Sequence, residues 1–308
     1  MAVRLGFVSL RISAAEKDAV VVFYRQRIGM SIMAERTSSA AHVSESVFLG
    51  FEGQPQSAWL ELQLGRQTSI GPYKHKRSDA YWKIGLALRD VDFATECLRN
   101  AGVSVSKASQ FFDIGYLTHI SDPARYTIEL LQHDFDQHVR RIGPNDVKGD
   151  HPLGQSVGVG QITLRVTKLD ETLRFYRDVL GMAYLSRQPV DEYGFVLHFL
   201  GTTSESPPDS DINAVANREW LWKRPYTQLE LQHVPSMASI TFPDLANEAG
   251  FVGIGFFAPA DELAAVKRRL VDSGVPLCSE QCDTSVYGAA AFAVIDPEGV
   301  RVVFMEQP

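Results

Sequence analysis

Cysteine is scarce in this sequence. Cys97, Cys278 and Cys282 are the only three in 308 residues. They are too few and too unevenly placed for a disulfide framework, and Cys278 with Cys282 lacks the second pair that a structural zinc site would need. A reducing compartment fits that usage. Long apolar runs are missing too: no stretch approaches the roughly 18 residues of a membrane-spanning helix, and MAVRLGFVSLRIS at 1–13 alternates like a strand without the apolar centre of an export signal. The expectation is a cytoplasmic protein with no membrane contact. Nor are there blocks of one charge. The 30 Lys and Arg against 37 Asp and Glu give a net charge of -7 spread over both halves, which excludes the electrostatic footprint that nucleic acid or an anionic membrane requires.

What is present is ordinary globular composition and repetition. With 45% apolar, 22% charged and 10% aromatic residues, the chain can bury two cores of about 150 residues each. Two series of motifs recur in the same order. FVSLRI at 7–12 matches QITLRV at 161–166, and FYRQRIGM at 23–30 matches FYRDVLGM at 175–182. WLELQLG at 59–65 follows QLELQHV at 228–234 in type, KIGLAL at 83–88 follows GIGFFA at 253–258, and SDPARYTIELL at 121–131 follows IDPEGVRVVFM at 295–305. The copies differ mainly by loop insertions, the largest before Glu230.

Within each half the pattern runs strand, helix, strands, twice over. Apolar residues at three- and four-residue spacing predict helices over 16–28, 91–100, 168–180 and 260–273, each closed by a glycine, Gly29, Gly102, Gly181 or Gly274, where a left-handed cap is wanted. The reading is an α+β protein of four βαβββ modules, about 3–66, 79–133, 158–234 and 249–308. Residues 1–133 and 158–308 form two tandem domains, and the turn-rich, aperiodic segment 134–157 links them. Strand alternation sets Glu61 and Glu230 on the face opposite their leucine neighbours.

These motifs resemble the glyoxalase I, bleomycin-resistance and extradiol-dioxygenase superfamily over nearly the whole chain. The resemblance implies cup-shaped open half-barrels built from paired modules, with a divalent metal held by the first and last strands of each module. Such a fold hosts isomerases, dioxygenases and metal-free binders alike, so it does not fix the function. The third module, with QITLR at 161–165, FYRDVLGM, FVLHFL at 195–200 and Glu219 to Leu231, resembles eukaryotic lactoylglutathione lyase. That likeness implies Gln161 and Glu230 as metal ligands and Arg165 as a glutathione contact. The second module, aligned from Gly102 to Pro123, implies Lys107 as a glutathione contact and Glu129 as the catalytic, metal-bound glutamate. Asp79 and Val234 stand where the lyase pattern has an Arg and an Asn that contact glutathione.

The superfamily pattern puts Phe7 and Glu61, Lys83 and Glu129, Gln161 and Glu230, and Gly253 and Val303 at ligand positions. If adjacent modules pair, neither cup is complete. If modules 2 and 3 pair, Lys83, Glu129, Gln161 and Glu230 share one cup and the other is dead. Three oxygen ligands suit zinc, nickel, manganese or magnesium. Lys83, however, replaces the family's histidine, and an ammonium has no lone pair to offer. The favoured outcome is an ammonium paired with Glu129 and Glu230 in the metal's place; the other is metal bound through Gln161, Glu230 and Glu129. Bland readings stand beside these. Glu129 and Glu230 can be plain strand carboxylates, Arg165 a residue fixing the barrel mouth, and Lys107 a solvated loop lysine. The Phe-Tyr pairs at 23–24 and 175–176 read as core, His198 and His233 as facing away from the cup, and His119, His133 and His138 as a loose cluster without metal spacing.

Three functions follow. The first is a glyoxalase I-like lyase acting on a thiol adduct of a 2-oxoaldehyde, with glutathione as co-substrate. Glu129 or Glu230 would move the proton, and metal or Lys83 would stabilise the enediolate. The second is a metal-free binder of a small molecule, of the bleomycin-resistance type. The third is an extradiol dioxygenase homologue without its iron ligands. Open barrel edges leave room for a homodimer.

Overall fold

A computed structural model describes residues 3–37, 43–65, 70–138, 151–154, 156–278, 284, 287–288 and 290–307. The first half contains β1 (Arg4–Ile12), α1 (Lys17–Phe23), β2 (Ser31–Thr37), β3 (Val43–Gly50) and β4 (Trp59–Gly65), then β5 (Tyr81–Leu88), α2 (Val91–Asn100), β6 (Ser109–Phe111), β7 (Gly115–Ser121) and β8 (Thr127–Gln132). The second half contains β9 (Gly158–Val166), α3 (Leu169–Leu173), β10 (Ala183–Val190), β11 (Phe195–Gly201), α4 (Ala216–Trp222) and β12 (Gln228–His233). It ends with β13 (Gly250–Phe257), α5 (Ala260–Asp272), β14 (Phe292–Ile295) and β15 (Arg301–Met305). No described helix is long and apolar enough to cross a membrane.

The four glycines predicted to end the helices all lie in the left-handed region: Gly29 at φ 84°, Gly102 at 80°, Gly181 at 78° and Gly274 at 76°. α1 and α3 each run on into a wider π turn, Tyr24–Ile28 and Arg174–Val179, at the same FYR motif. There the buried Tyr24 donates to Asp122 (3.0 Å) and the buried Tyr176 to Asp296 (2.9 Å). Each tyrosine ties its module to the Asp-Pro turn of the next module in the same half.

The sheets pair the other way. One runs β14-β15-β13-β1-β4-β3-β2 and the other β10-β11-β12-β9-β5-β8-β7-β6. Modules 1 and 4 therefore share a sheet through antiparallel β1 and β13, and modules 2 and 3 share the other through antiparallel β5 and β9. Each curled sheet draws one module from either half, so the sequence halves and the sheets are not the same units. The faces turned away from the cups merge, with the helices, into one apolar core spanning all four modules. Of the segment expected to link the halves, residues 139–150 and 155 lie outside the described residues. Asp136–His138 form a single 3-10 turn. Cys97 is a free thiol, whereas Cys278 is disulfide-bonded, which the expectation of a reducing compartment did not foresee.

Candidate functional site

The cup of modules 2 and 3 is floored by the central strands β8, β5, β9 and β12. Gly85 lies opposite both Glu129 and Gln161, and Thr163 lies opposite both Lys83 and Glu230. Residues in register share a face of the sheet, so five polar residues from two modules meet at one seam. A side chain at Gly85 would collide with Gln161, whose Cγ would lie 2.6 Å from the added Cβ. The glycine lets the Gln161 amide cross the seam and donate to Glu129 Oε1 at 2.7 Å.

Lys83 Nζ lies 2.7 Å from Glu129 Oε2 and 3.6 Å from Glu230 Oε2. Thr163 donates to Glu230 Oε2 at 2.8 Å, while Glu230 Oε1 is buried with no hydrogen-bond partner. His119 Nε2 stands 3.1 Å from Glu129 Oε2. Burial alone would raise both carboxyls and lower the ammonium. The close pair overrides it: Lys83, with His119 beside it, holds Glu129 down to about 2. Against the same burial, the two carboxylates raise Lys83 above its ordinary value. Glu230, with the longer contact to Lys83, goes the other way, raised by burial and then by the neighbouring Glu129 charge. The floor thus holds a tight ion pair beside a carboxyl of increased proton affinity.

Above this floor is a cavity of about 360 Å³, within the range of small-molecule sites. Its walls are mostly apolar: Ile114, Leu117, Leu131, Leu197, Phe199 and Trp222 among them. Helix α4 of module 3 closes one side. Its buried Arg218 pairs with the Asp113 side chain and donates to the Asp113 carbonyl at 2.6 Å, and Trp222 donates to the Ile114 carbonyl at 3.0 Å. Both groups belong to the β6–β7 turn of module 2. From the edge hairpins of the two modules, Phe111 and Tyr193 meet with ring centroids 5.7 Å apart.

The structure brings five of the six sequence-predicted site residues, Lys83, Glu129, Gln161, Glu230 and Arg165, around this cavity. Arg165 is buried and donates to Gln232 Oε1 (3.2 Å) and the Asp79 carbonyl (3.0 Å). Asp79 itself accepts from Tyr73 at 2.7 Å, and Val234 lines the wall. Lys107 is different: it is exposed on the segment between α2 and β6 and does not line the cavity. The glutathione contact that the resemblance implied for Lys107 is not supported by this exposed position. His198 bonds Tyr184 at 2.6 Å, with burial lowering it to about 4, and does not line the cavity.

Two wall residues escaped the sequence reading. Strict alternation puts Trp82 on the face opposite Lys83, but the β5–β9 ladder shifts register between Tyr81 and Lys83. That bulge re-aims Trp82 into the cup, where Lys83 Nζ lies 4.7 Å and Arg165 Cζ 5.3 Å from its ring centre. His119 gave no spacing signal, because its place follows from lying directly opposite Glu129 in the β7–β8 ladder.

The residues present do not fit a divalent cation. The Lys83 ammonium stands between the two carboxylates that would bind it, and the Gln161 amide N–H, not its oxygen, is turned to Glu129. Among the described residues no group of three or more His, Cys, Asp or Glu side chains is placed to hold a metal ion.

The cup of modules 1 and 4 is filled. Phe7 occupies the position of Gln161, and its ring packs on Phe48, Phe257 and Tyr287 at centroid distances of 5.6, 5.5 and 5.6 Å. Glu61, the counterpart of Glu230, is enclosed by Ser9, Ser46 (2.8 Å) and Tyr287 (2.7 Å) hydroxyls.

Fold and site together define a four-module glyoxalase-fold protein with one open and one packed cup. Residues 158–304 carry the pattern of the Glyoxalase/Bleomycin resistance protein/Dioxygenase superfamily, which bears out the resemblance read from the motifs. A lactoylglutathione lyase of Arabidopsis thaliana is 25% identical over 61% of this chain and 59% of its own, so the chain spans about three fifths of that relative's length. A probable chloroplastic lactoylglutathione lyase of the same plant is 25% identical over 94% of this chain and 70% of its own. Zea mays glyoxalase I shares the fold with a TM-score of 0.68 at 17% identity, covering 99% of this chain and 92% of its own.

Proposed function

We propose that the module 2–3 cup is a metal-independent site for a small molecule. The observation that supports this reading is Lys83, a tethered cation between Glu129 and Glu230 beneath a largely apolar cavity. An ammonium paired in this way already neutralises the carboxylates that a metal would need. The test is elemental analysis of the purified protein with titrations of zinc, nickel, manganese and magnesium. The expected outcome is no stoichiometric metal in the parent and uptake by Lys83→His; a parent that holds one metal per chain overturns the reading.

A second reading, isomerisation of a glutathione adduct of a 2-oxoaldehyde, draws on the relatives' names and on the split between the two carboxyls. A pair whose proton affinities are pushed apart suits acid and base roles. Glu129, held low, is a poor base, so Glu230 would take the proton next to the carbonyl and Lys83 would face the developing enediolate. Arg165 would be the remaining contact for a thiol substrate, since Lys107 and Asp79 are not placed to help. Turnover of the methylglyoxal–glutathione adduct by the parent would establish this reading, and its absence with every metal removes it. A ring-cleaving dioxygenase needs two histidines and a carboxylate on iron, which the described residues do not assemble.

A further inference from the structure

The floor of the open cup carries information about its occupant. Glu230 is 1% exposed. Its Oε2 accepts from Thr163 and faces Lys83, whereas its Oε1 has no partner. A buried carboxyl oxygen without a donor is costly, and native structures rarely leave one so. Glu230 also lines the cavity, so a donor brought by a ligand can complete it.

Charge narrows the ligand further. The one floor cation, Lys83, is closed on Glu129, and a second carboxyl stands beside it. An anionic head group placed there would meet two acidic side chains and no uncommitted cation. Arg165 lies at the end of the cavity bounded by the exposed Arg77, with its guanidinium turned to Gln232 and the Asp79 carbonyl. Among the aliphatic residues of the lining stand six aromatic ones: Trp82, Phe111, Tyr193, Phe195, Phe199 and Trp222. Such walls favour flat rings, which they contact by offset stacking or edge to face.

We propose that the cup's ligand is an uncharged molecule with a flat aromatic body and a hydroxyl or N–H group that donates a hydrogen bond to Glu230. This rests on the cup being a small-molecule site and adds the class of molecule it takes. The ring lies between Phe199, Trp222 and Leu197, and the donor reaches the seam beside Lys83.

Three probes of one size separate the possibilities: 2-naphthol, which donates; 2-methoxynaphthalene, which only accepts; and 2-naphthoate, which is anionic. Affinities are read by calorimetry and by quenching of tryptophan fluorescence on the full chain. 2-Naphthol should bind about tenfold tighter than either of the others, the factor expected for a hydrogen bond to a buried carboxyl. In Glu230→Met the ratio of 2-naphthol to 2-methoxynaphthalene should collapse to about one. In the isosteric Glu230→Gln, which keeps a neutral acceptor, it should fall by roughly threefold. Equal binding of 2-naphthol and 2-methoxynaphthalene by the parent, or a ratio that neither variant lowers, overturns the inference and leaves the site reading standing. Tighter binding of 2-naphthoate overturns it in favour of an anion at Arg165. Failure of all three to bind removes the site reading and this inference with it.

Discussion

The two cups are built on the same plan and finished in opposite ways. In each, a first strand crosses the seam to the other module over a glycine: Gln161 over Gly85 in the open cup, Phe7 over Gly255 in the packed one. In each, a buried glutamate lies opposite a hydroxyl residue, Glu230 opposite Thr163 and Glu61 opposite Ser9. The difference is what completes the glutamate. Glu61 is surrounded by protein hydroxyls and roofed by aromatic rings. Glu230 keeps an oxygen without a partner beneath a cavity. One cup is thus packed into core while the other keeps a polar floor beneath a cavity, and the packed one has Phe7, Gly253 and Val303 at the register positions where the open one has Gln161, Lys83 and Glu129.

The comparison breaks most sharply at Phe7. In the packed cup its ring is fully buried among Phe48, Phe257 and Tyr287, so Phe7→Ala should cost about 4 kcal/mol of stability through a cavity that cannot collapse. Urea unfolding measures it, and a cost near that of an exposed site would show that this cup is not core. Next is Lys83→Met, which leaves Glu129 ionised and buried without its cation and should cost about 3 kcal/mol. Combining it with Glu129→Gln should recover most of that loss. A double variant no more stable than Lys83→Met alone would mean that packing, not charge, holds Lys83 in place.

A smaller effect separates the two sheets by pH. Burial raises Asp122, in the turn between β7 and β8 of the open cup's sheet, to about 7, and Asp296, in the turn between β14 and β15 of the packed one's, to about 6. Both folded values exceed the unfolded value, so the folded state binds the extra proton. The stability this contributes is complete below about pH 4 and is lost as pH rises through the folded value. Between pH 5 and 7 the chain should lose about 2 kcal/mol through Asp122 and about 1 kcal/mol through Asp296. Asp122→Asn should therefore flatten the pH profile of thermal melting more than Asp296→Asn does, and equal flattening would contradict the difference between the two turns.

Much of this was legible because it is written in local pattern. The capping glycines, the paired FYR motifs and the strands bearing Glu129 and Glu230 follow from periodicity and repetition, and the structure has them at the expected residues. The resemblance pointed to Lys83, Gln161 and Arg165 by position, and the structure has all three along one cavity. What the sequence could not carry is decided across strands. Whether modules pair within or between halves depends on the β5–β9 and β1–β13 seams, which no single segment encodes. Trp82 was hidden by a bulge that breaks alternation, and His119 by needing a partner strand to give it a neighbour. Helix α4, which anchors the β6–β7 turn through Arg218 and Trp222, lies in the insertion of the third module, where neither repeat nor period marks it.

The last test returns to the two glycines at the seams, where the two cups should differ least in sequence and measurably in response. A Cβ at Gly255 would lie 2.0 Å from two atoms of the Phe7 ring, a rigid group locked among other rings. A Cβ at Gly85 would meet Gln161 at 2.6 Å from Cγ, and an unbranched side chain bordering a cavity can swing aside. Gly85→Ala should cost only about 1 kcal/mol, while Gly255→Ala, which overpacks the filled cup, should cost more, about 2 kcal/mol. The readout that distinguishes them lies at Glu129. Displacing Gln161 removes the donor at its Oε1, so Gly85→Ala should weaken 2-naphthol binding even though the chain remains folded, whereas Gly255→Ala should leave that binding unchanged. If Gly85→Ala proves the more destabilising of the two, the seam of the open cup is packed as tightly as that of the closed one, and the division between a working cup and an architectural one fails at its floor.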